Sequence, residues 1–283
     1  MKLPFNIDLS NKVAVVTGGG GVLCSLFAKA LAKSGAKVAI LDLREDAACA
    51  VADEIVKEGG IAKGYSANVL DKESLEKVRE EIIKDFGKCD ILLNGAGGNN
   101  PKGTTTNDYF DKADLLKEDV KTFFDLDPDG VSFVFNLNFL GTLLPTQVFA
   151  MDLIEKEDAS IINISSMNAF TPLTRIPAYS GAKAAISNFT QWLAVHFSKT
   201  NIRVNAIASG FFLTNQNRAL LIDEKGEYTA RSKKILSQTP MDRFGDAEEL
   251  IGTLLFLVSK DASSFINGVV IPVDGGFSAY SGV

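Results

Sequence analysis

Two side chains four residues apart are suited to acid-base chemistry. Tyr179 and Lys183 lie in the stretch Ala-Tyr-Ser-Gly-Ala-Lys, and a helix would place the phenol and the ammonium on one face. A free phenol has a pKa of about 10, and an ammonium roughly 4 Å away favours the phenolate by about 4 kcal/mol at an effective dielectric of about 20. Such a pair can move a proton to or from an alcohol oxygen. Because this spacing is also common on solvated helices, the surrounding sequence has to support the assignment.

Strands and helices alternate around this pair. Runs rich in β-branched residues predict strands at 12–17, 37–42, 61–66, 89–94, 160–165, 202–208 and 269–273. Helical patterns predict helices at 23–33, 45–57, 72–86, 142–154, 182–198 and 247–258. Most of these strands are almost wholly apolar, as strands buried in a parallel sheet are. We therefore predict an α/β fold, a Rossmann-type doubly wound parallel sheet with helices on both faces, in a single domain over residues 1–283.

Two polar segments interrupt the alternation, at about 99–129 and 211–245. Each follows the carboxyl end of a predicted strand, where ligands bind in open parallel sheets. We expect these two insertions to form the substrate side of the domain, as walls or lids.

Composition argues against several classes of protein. A net charge of −6 argues against a nucleic-acid surface, and an anionic substrate would need local Lys or Arg. The cysteines Cys24, Cys49 and Cys89 and the single histidine, His196, lack metal-ligand spacing, so neither a metal site nor a disulfide framework is predicted. No apolar run reaches membrane-spanning length, and the first eight residues lack the apolar core of a secretion signal. We expect a cytoplasmic protein with no membrane partner.

A glycine-rich turn follows the first predicted strand. Thr17 begins the stretch Thr-Gly-Gly-Gly-Gly-Val-Leu-Cys, and such turns let backbone N–H groups approach a pyrophosphate at a helix N-terminus. Asp42 closes the second predicted strand, where a carboxylate accepts hydrogen bonds from an adenosine ribose and repels a 2′-phosphate. The pattern predicts NAD as cofactor, whereas Arg44 could pair with that phosphate and keeps NADP possible. The glycines alone are also compatible with a tight turn that binds nothing.

Over essentially its whole length the chain resembles the short-chain dehydrogenase/reductase family. Besides the Tyr-Lys pair, the resemblance is carried by Asn-Phe-Leu-Gly-Thr at Asn138 and by Ile-Ser-Ser ending at Ser166, thirteen residues before the tyrosine. It implies that Asn138 holds a water for a proton relay and that Tyr179 is the general acid/base. It also implies that Lys183 binds the nicotinamide ribose and lowers the pKa of the tyrosine.

The resemblance implies a set of cofactor contacts as well. They are Thr17, Gly18, Gly20, Gly21, Val22, Leu23, Asp42, Asn68, Val69, Asn94, Gly95, Ala96, Gly97, Tyr179, Lys183, Gly210, Phe212 and Thr214. The chain departs from the family pattern where Val22 and Cys24 replace glycines, Gly95 replaces an asparagine and Ser209 replaces a proline. These departures predict a bulkier helix start beside the phosphates. Cys24 is either a thiol activated by the helix dipole or a small buried filler, and we expect the filler.

Segments 18–24, 97–105, 138–147, 166–170 and 274–283 resemble one subgroup of the family, the D-mannonate oxidoreductases or fructuronate reductases. This implies interconversion of D-mannonate and D-fructuronate in hexuronate breakdown. The candidate substrate residues are Asn99, Asn100, Lys102, Asn168 and Arg175. The arginine, in a loop limited by two prolines, could grip a carboxylate bidentately. A plain surface arginine and turn-forming asparagines are the alternatives.

Other functions stay open at this point. The same chemistry could serve as gluconate 5-dehydrogenase or 3-oxoacyl carrier-protein reductase, although the sequence shows no basic patch for a carrier protein. A protein that senses NAD without turnover and a purely structural role are further alternatives, which the intact catalytic residues disfavour. The family resemblance also implies a homotetramer, built through two long helices that begin near Asn138 and Ala178 and through C-terminal strands.

Overall fold

The computed structural model describes residues 7–214 and 217–282. The prediction about a secretion signal falls mainly on residues 1–6, which lie outside the described residues. Positions 215 and 216 of the second insertion, and position 283 of the segment resembling the subgroup, lie outside them as well.

Parallel strands form the centre of the molecule. The strands are β1 (Val13–Thr17), β2 (Lys37–Asp42), β3 (Ile61–Ser66), β4 (Ile91–Asn94), β5 (Ala159–Ser166), β6 (Ile202–Ser209), β7 (Phe212–Leu213), β8 (Gly245–Asp246) and β9 (Val270–Val273). Seven of them form one parallel sheet in the order β3-β2-β1-β4-β5-β6-β9. All seven predicted strands are confirmed. Most of them are continuous apolar runs buried on both faces, whereas β3 is a largely exposed edge strand. The remaining strands, β7 and β8, pair with each other, and they are too short to leave a sequence pattern.

Helices cover both faces of the sheet. They are α1 (Val22–Lys33), α2 (Glu45–Lys57), α3 (Lys72–Asp85), α4 (Pro128–Phe135), α5 (Gly141–Leu153), α6 (Pro177–His196), α7 (Arg218–Leu221), α8 (Ala230–Leu236), α9 (Glu249–Val258) and α10 (Lys260–Ser263). All six predicted helices are confirmed, although α6 begins five residues before the predicted start at 182. The earlier start reflects a proline at its first position, where no backbone N–H is needed.

Alternate strand residues supply two hydrophobic layers. Ala14 and Val16 pack with α1, α2 and α9 on one face, whereas Val13 and Val15 pack with α3, α5 and α6 on the other. Each fully buried Leu or Phe side chain in these layers contributes about 1.5–3 kcal/mol. The layers hold the strands in register, and so fix the carboxyl ends of β1, β4, β5 and β6 beside one another.

Four of the helices in the described residues, α4, α7, α8 and α10, were not predicted, and α4 is the longest of them. The helix α4 is capped by Asp127, whose carboxylate accepts from the N–H of Asp129 at 2.8 Å, and it continues through a π-helical turn, Asn136–Leu140, into α5. Residues 128–153 thus form one continuous helix, and by length and composition it could cross a membrane. It contains no unbroken apolar run of that length, because Asn136, Asn138 and Gln147 interrupt it. Half of its most apolar window is buried against protein, which is also the pattern of a core helix.

Candidate active site

Four predicted catalytic side chains meet at the carboxyl edge of the sheet. Ser166 ends β5, Tyr179 lies in the first turn of α6, and Lys183 follows one turn later. The Lys183 side chain is buried, and its Nζ donates to the Ile164 carbonyl oxygen at 2.8 Å. The same Nζ lies 5.5 Å from the centre of the Tyr179 ring. The Ser166 hydroxyl is the neighbouring group that lowers the pKa of the phenol, and its Oγ donates to the Ser209 carbonyl oxygen at 3.4 Å. The strand end and the helix start therefore place two hydroxyls and one ammonium in a single cluster.

Burial determines the protonation of this cluster. Desolvation lowers the pKa of Lys183 to about 8. Desolvation also raises the pKa of Tyr179, and the Ser166 hydroxyl offsets only part of that rise. The expected lowering of the Tyr179 pKa by the lysine is therefore wrong for this structure, since removing a phenolate from water costs more than the neighbouring groups return. At neutral pH Tyr179 is a protonated phenol that can donate a proton.

Asn138 lies in the π-helical turn, a distortion that often marks functional positions. Its Nδ2 donates to the carbonyl oxygens of Gly98 at 2.7 Å and Val134 at 2.8 Å, and its Oδ1 accepts from the Gly98 N–H at 3.3 Å. Both amide hydrogens are thus used inside the protein. A relay water at this side chain would have to donate to Oδ1. That oxygen is therefore the side-chain atom that could serve the predicted relay.

Gly97 lies against the two polar atoms of this corner. A Cβ on Gly97 would fall 2.6 Å from Asn138 Oδ1 and 3.4 Å from Lys183 Nζ. Any side chain at position 97 would therefore push into the space shared by the amide and the ammonium.

The glycine turn after β1 forms a cradle with a fixed carboxylate beside it. Gly21 caps α1 without a side-chain hydrogen bond, so the first N–H groups of that helix point outward without an intrahelical partner. Asp42 Oδ2 accepts from the Gly20 N–H and Oδ1 accepts from the Arg44 N–H, both at 3.1 Å. The free N–H groups suit a pyrophosphate, and the immobilised carboxylate suits ribose hydroxyls. The residues present fit a dinucleotide cofactor.

Some of the predicted cofactor residues also form hydrogen bonds that hold the strand ends together. Thr17 Oγ1 accepts from the N–H groups of Gly95 at 3.1 Å and Ala96 at 3.3 Å, which joins the turns after β1 and β4. The Asn94 amide is buried and donates to Thr146 Oγ1 and Asn163 Oδ1, each at 2.9 Å. Its Nδ2 thus braces β4 against α5 and β5, whereas its Oδ1 has no hydrogen-bond partner within the described residues.

Asn68 and Val69 follow β3. Asn68 is exposed, with Oδ1 accepting from the Leu70 N–H at 3.0 Å, whereas Val69 is buried against Gly141 at the start of α5. The exposed asparagine shapes the turn that carries the predicted adenine contact.

The segment after β6 is held by a residue that the sequence analysis missed. Asn217 Oδ1 accepts from the Thr214 N–H and its Nδ2 donates to the Phe212 carbonyl oxygen, each at 2.8 Å. Gly210 donates its N–H to the Val273 carbonyl oxygen at 2.9 Å. Asparagine readily bonds nearby backbone, but nothing in its spacing singled Asn217 out.

Two departures from the family pattern compensate for each other. Cys24 is buried, and a Cβ on Gly95 would lie 2.1 Å from its Sγ. Desolvation raises the pKa of the Cys24 thiol to about 12, so at neutral pH it is protonated. The expectation of a buried filler is confirmed. The thiol fills the space above residue 95 instead of pointing toward the phosphates, and this requires glycine at that position.

Adding a methyl group at this contact should destabilise the protein. We expect Gly95→Ala to lower the free energy of unfolding by about 2 kcal/mol, because overpacking a tight contact forces its neighbours apart. In the Gly95→Ala background, Cys24→Ala should restore much of the loss, since it removes the sulfur that the methyl group meets. Thermal unfolding midpoints of the single and double variants measure this.

Gly252→Ala is the matched control, because a Cβ there meets nothing within 4 Å and the position lies inside α9. It should be neutral or stabilising by about 0.5–1 kcal/mol. If Cys24→Ala failed to restore stability to the Gly95→Ala protein, the sulfur would not be the clashing group.

The five candidate substrate residues differ in the hydrogen bonds and ion pairs that they already form within the protein. Asn100 Oδ1 accepts from the Lys102 N–H at 2.9 Å, so this asparagine caps a turn, as its alternative interpretation stated. Lys102 Nζ lies 3.2 Å from Asp127 Oδ2, and Asn99 Nδ2 donates to Thr104 Oγ1 at 3.3 Å.

The remaining two candidates lie after β5. Arg175 Nε donates to Asp108 Oδ1 at 2.8 Å. Asn168 is buried next to Ser166, whose Oγ accepts its N–H at 3.3 Å, and Asn168 Oδ1 has no hydrogen-bond partner in the described part of the chain. Of the five, Asn168 therefore has a buried acceptor left over for a substrate hydroxyl.

Two other sequence features lie apart from this cluster. Within residues 7–214 and 217–282, no group of His, Cys, Asp and Glu is arranged to hold a metal ion. His196 stacks on Trp192, with ring centres 4.6 Å apart, near the C-terminal end of α6.

Comparison with known proteins gives consistent matches. The profile of the family described as short chain dehydrogenase matches residues 12–225. An uncharacterized oxidoreductase of Haemophilus influenzae is 63% identical over 285 aligned residues, covering 100% of this chain and 99% of the relative. The uncharacterized oxidoreductase UxuB of Bacillus subtilis is 50% identical, covering 99% of this chain and 100% of the relative.

A solved structure is similar over the whole fold. It is a Haemophilus influenzae protein provisionally identified as a D-mannonate oxidoreductase, with NAD bound, and it superposes with a TM-score of 0.95 at 63% identity. The match covers 98% of this chain and 99% of that one.

Proposed function

The chain belongs to the short-chain dehydrogenase family, and from this premise we propose that it interconverts D-mannonate and D-fructuronate with NAD as the hydride carrier. The observation that carries the proposal is the cluster at the end of β5, where Ser166 ends the strand, Tyr179 lies in the first turn of α6, and Lys183 is buried one turn later with its Nζ 5.5 Å from the centre of the Tyr179 ring. Asp42, held by two backbone N–H groups, supports NAD over NADP as the cofactor.

Each side chain of the cluster has its own role in the proposed reduction of a ketone. Bound NADH supplies a hydride to the ketone carbon. The Ser166 hydroxyl orients the ketone oxygen, and Tyr179, protonated at neutral pH, gives that oxygen its proton as negative charge develops there. Lys183 then stabilises the phenolate, and a water donating to Asn138 Oδ1 would reconnect the site to solvent. Oxidation of the alcohol reverses each step.

A sugar acid suits the side chains around the cleft. The chain carries a net charge of −6, so a substrate carboxylate needs local cations. Arg175 and Lys102 lie in the segments that follow β5 and β4, and both are more than half exposed. The buried Asn168 Oδ1 offers an acceptor for a hydroxyl. Together they support a polyhydroxylated acid over a fatty acyl thioester, and we propose a step in hexuronate breakdown on that basis.

Turnover of defined ketones tests the substrate directly. Purified protein should oxidise NADH rapidly with D-fructuronate, and more slowly with 5-ketogluconate, with an acetoacetyl thioester, or with NADPH as reductant. The Tyr179→Phe variant serves as the control for background oxidation. Faster turnover of another ketone would discard D-fructuronate as the substrate. Binding of NADH without turnover of any ketone would favour an NAD-sensing protein.

Assembly and location follow as parts of the same proposal. Exposed apolar side chains, among them Leu140, Trp192 and Val195, lie along the α5 and α6 region, and the apolar strand β9 forms an edge of the sheet. Such surfaces favour a homotetramer, and light scattering that gave a monomer mass would contradict it. The three cysteines form no disulfide within the described residues, which suits a reducing cytoplasm, and cell fractionation tests that location.

A further inference from the structure

One carboxylate joins three separate segments beside the cleft. Asp108 lies in the first insertion, after β4, Thr174 and Arg175 lie in the loop after β5, and Lys234 lies in α8, within the second insertion. Asp108 Oδ1 accepts from Thr174 Oγ1 at 2.9 Å and from Arg175 Nε at 2.8 Å, and Oδ2 accepts from Lys234 Nζ. The three segments that follow neighbouring strand ends thus share one acceptor group.

Burial and charge distinguish Asp108 from an ordinary surface partner. Its side chain is 16% exposed, whereas those of Arg175 and Lys234 are 53% and 63% exposed. The hydrogen bonds from Lys234, Arg175 and Thr174 hold the pKa of Asp108 well below its usual range, so it is ionised at all working pH values. Two cations face one carboxylate, which leaves this corner with one net positive charge on a chain that is negative as a whole.

The same contact fixes the direction of Arg175. A guanidinium is planar, so a bond at Nε determines where its two Nη groups point. The Arg175 carbonyl oxygen also accepts from the Thr105 N–H at 2.9 Å, which fixes its backbone. Neither Nη group donates a hydrogen bond to any residue that the structure describes. Arg175 therefore keeps two oriented donors, four residues before Tyr179, which suit the two oxygens of a carboxylate.

Lys234 gives Asp108 a second role. Within the described parts of the two insertions, the bond from Lys234 to Asp108 is the one hydrogen bond that joins them. The helix α8 has seven residues, too few to be stable without tertiary contacts. A substitution at Asp108 should therefore alter both the orientation of Arg175 and the stability of α8.

We propose that Asp108 is a positioning residue that directs the Nη groups of Arg175 at a carboxylate on the substrate and ties the two insertions into one wall. The proposal rests on the function proposed above in that it requires an anionic substrate. Asp108 acts through Arg175 and does not itself touch the substrate.

Asp108→Asn separates positioning from simple electrostatics. The substitution keeps the size of the side chain and adds one net positive charge, which alone would tighten the binding of an anion. Lost positioning should instead raise the KM for D-fructuronate about tenfold, the equivalent of one hydrogen bond to a charged group, with the Kd for NADH unchanged. An unchanged or lower KM would overturn the proposal.

A double-variant cycle tests whether Asp108 acts through Arg175. Arg175→Met should raise the KM for D-fructuronate at least as much as Asp108→Asn, and Asp108→Asn should add little in the Arg175→Met background. Two independent tenfold effects would show that Asp108 acts by another route. Asp85→Asn is the matched control, because Asp85 also accepts from a lysine, Lys63, and a hydroxyl, that of Tyr65, away from the cleft. It should leave the KM at the wild-type value.

Amide hydrogen exchange at residues 230–236 tests the tie between the insertions without relying on activity. Exchange there should speed up in Asp108→Asn and in Lys234→Gln, and remain as in wild type in Arg175→Met. Unchanged exchange in Asp108→Asn would overturn this half of the proposal. If the wild-type protein reduced no carboxylate-bearing ketone, the proposed function would fail, and the exchange result would still decide whether Asp108 joins the two insertions.

Discussion

Replacing Tyr179 with phenylalanine should lower kcat/KM about 10³-fold in both directions and leave NADH binding nearly unchanged. Phenylalanine keeps the ring that packs in the first turn of α6 and removes only the hydroxyl. Without that hydroxyl no group is placed to protonate the ketone oxygen as charge develops there. Steady-state kinetics in both directions, together with a fluorescence titration of NADH, measures the two quantities separately.

Tyr65→Phe is the matched control for this prediction. Tyr65 is a buried tyrosine on β3, and its hydroxyl donates to Asp85 Oδ2 at 2.8 Å. It should keep wild-type turnover, since the same atom is removed far from the cluster. Turnover in Tyr179→Phe within about tenfold of wild type would rule out Tyr179 as the general acid, because general acid-base catalysis is worth more than that.

Replacing Asp42 with asparagine should shift the preference between cofactors. The ratio of kcat/KM with NADPH to that with NADH should rise about 10²-fold, because a charged acceptor for the ribose hydroxyls is lost and repulsion of the 2′-phosphate disappears. Asparagine keeps the size of the side chain but has one oxygen, so it can accept from the N–H of Gly20 or of Arg44 and loses the other of these two hydrogen bonds. Kinetics with each cofactor at saturating ketone measure the ratio.

Asp46→Asn provides the control for charge alone. Asp46 lies four residues further on in the first turn of α2 and is exposed, so its loss changes the net charge equally without touching Asp42. The ratio should stay close to wild type. In the Asp42→Asn background, Arg44→Ala should reverse part of the gain with NADPH if the arginine pairs with the phosphate. An unaltered ratio in Asp42→Asn would show that this carboxylate does not select the cofactor.

The limits of sequence-based prediction are clearest in α4, the longest of the four helices that were missed. The first turn of α4 falls at the end of a polar segment, and Gly130, a weak helix former, interrupts its apolar pattern. In the fold, a Cβ on Gly130 would lie 2.4 Å from the Lys102 Cβ, so glycine serves close packing there. That close approach depends on a turn almost thirty residues earlier, which no local pattern records.

In the candidate site, too, local spacing was predictable and contacts between distant segments were not. The spacing of Tyr179, Lys183 and Ser166 and the glycine turn indicated the chemistry, because these residues act through positions set by one helix or one strand end. The engagement of Arg175 with Asp108, and of Lys102 with Asp127, was not predictable, since each pair joins segments that only the fold brings together.

By itself the sequence determined the order of strands and helices, the edge of the sheet where ligands bind, and the types of side chain available there. These properties follow from residue periodicity and from spacing within single elements. Only the tertiary structure decided that Tyr179 is held as a neutral phenol, that Cys24 requires glycine at position 95, and that Asp108 joins both insertions. The physical reason is that desolvation, steric contact and charge pairing depend on distances of a few ångströms between residues that are far apart in the chain.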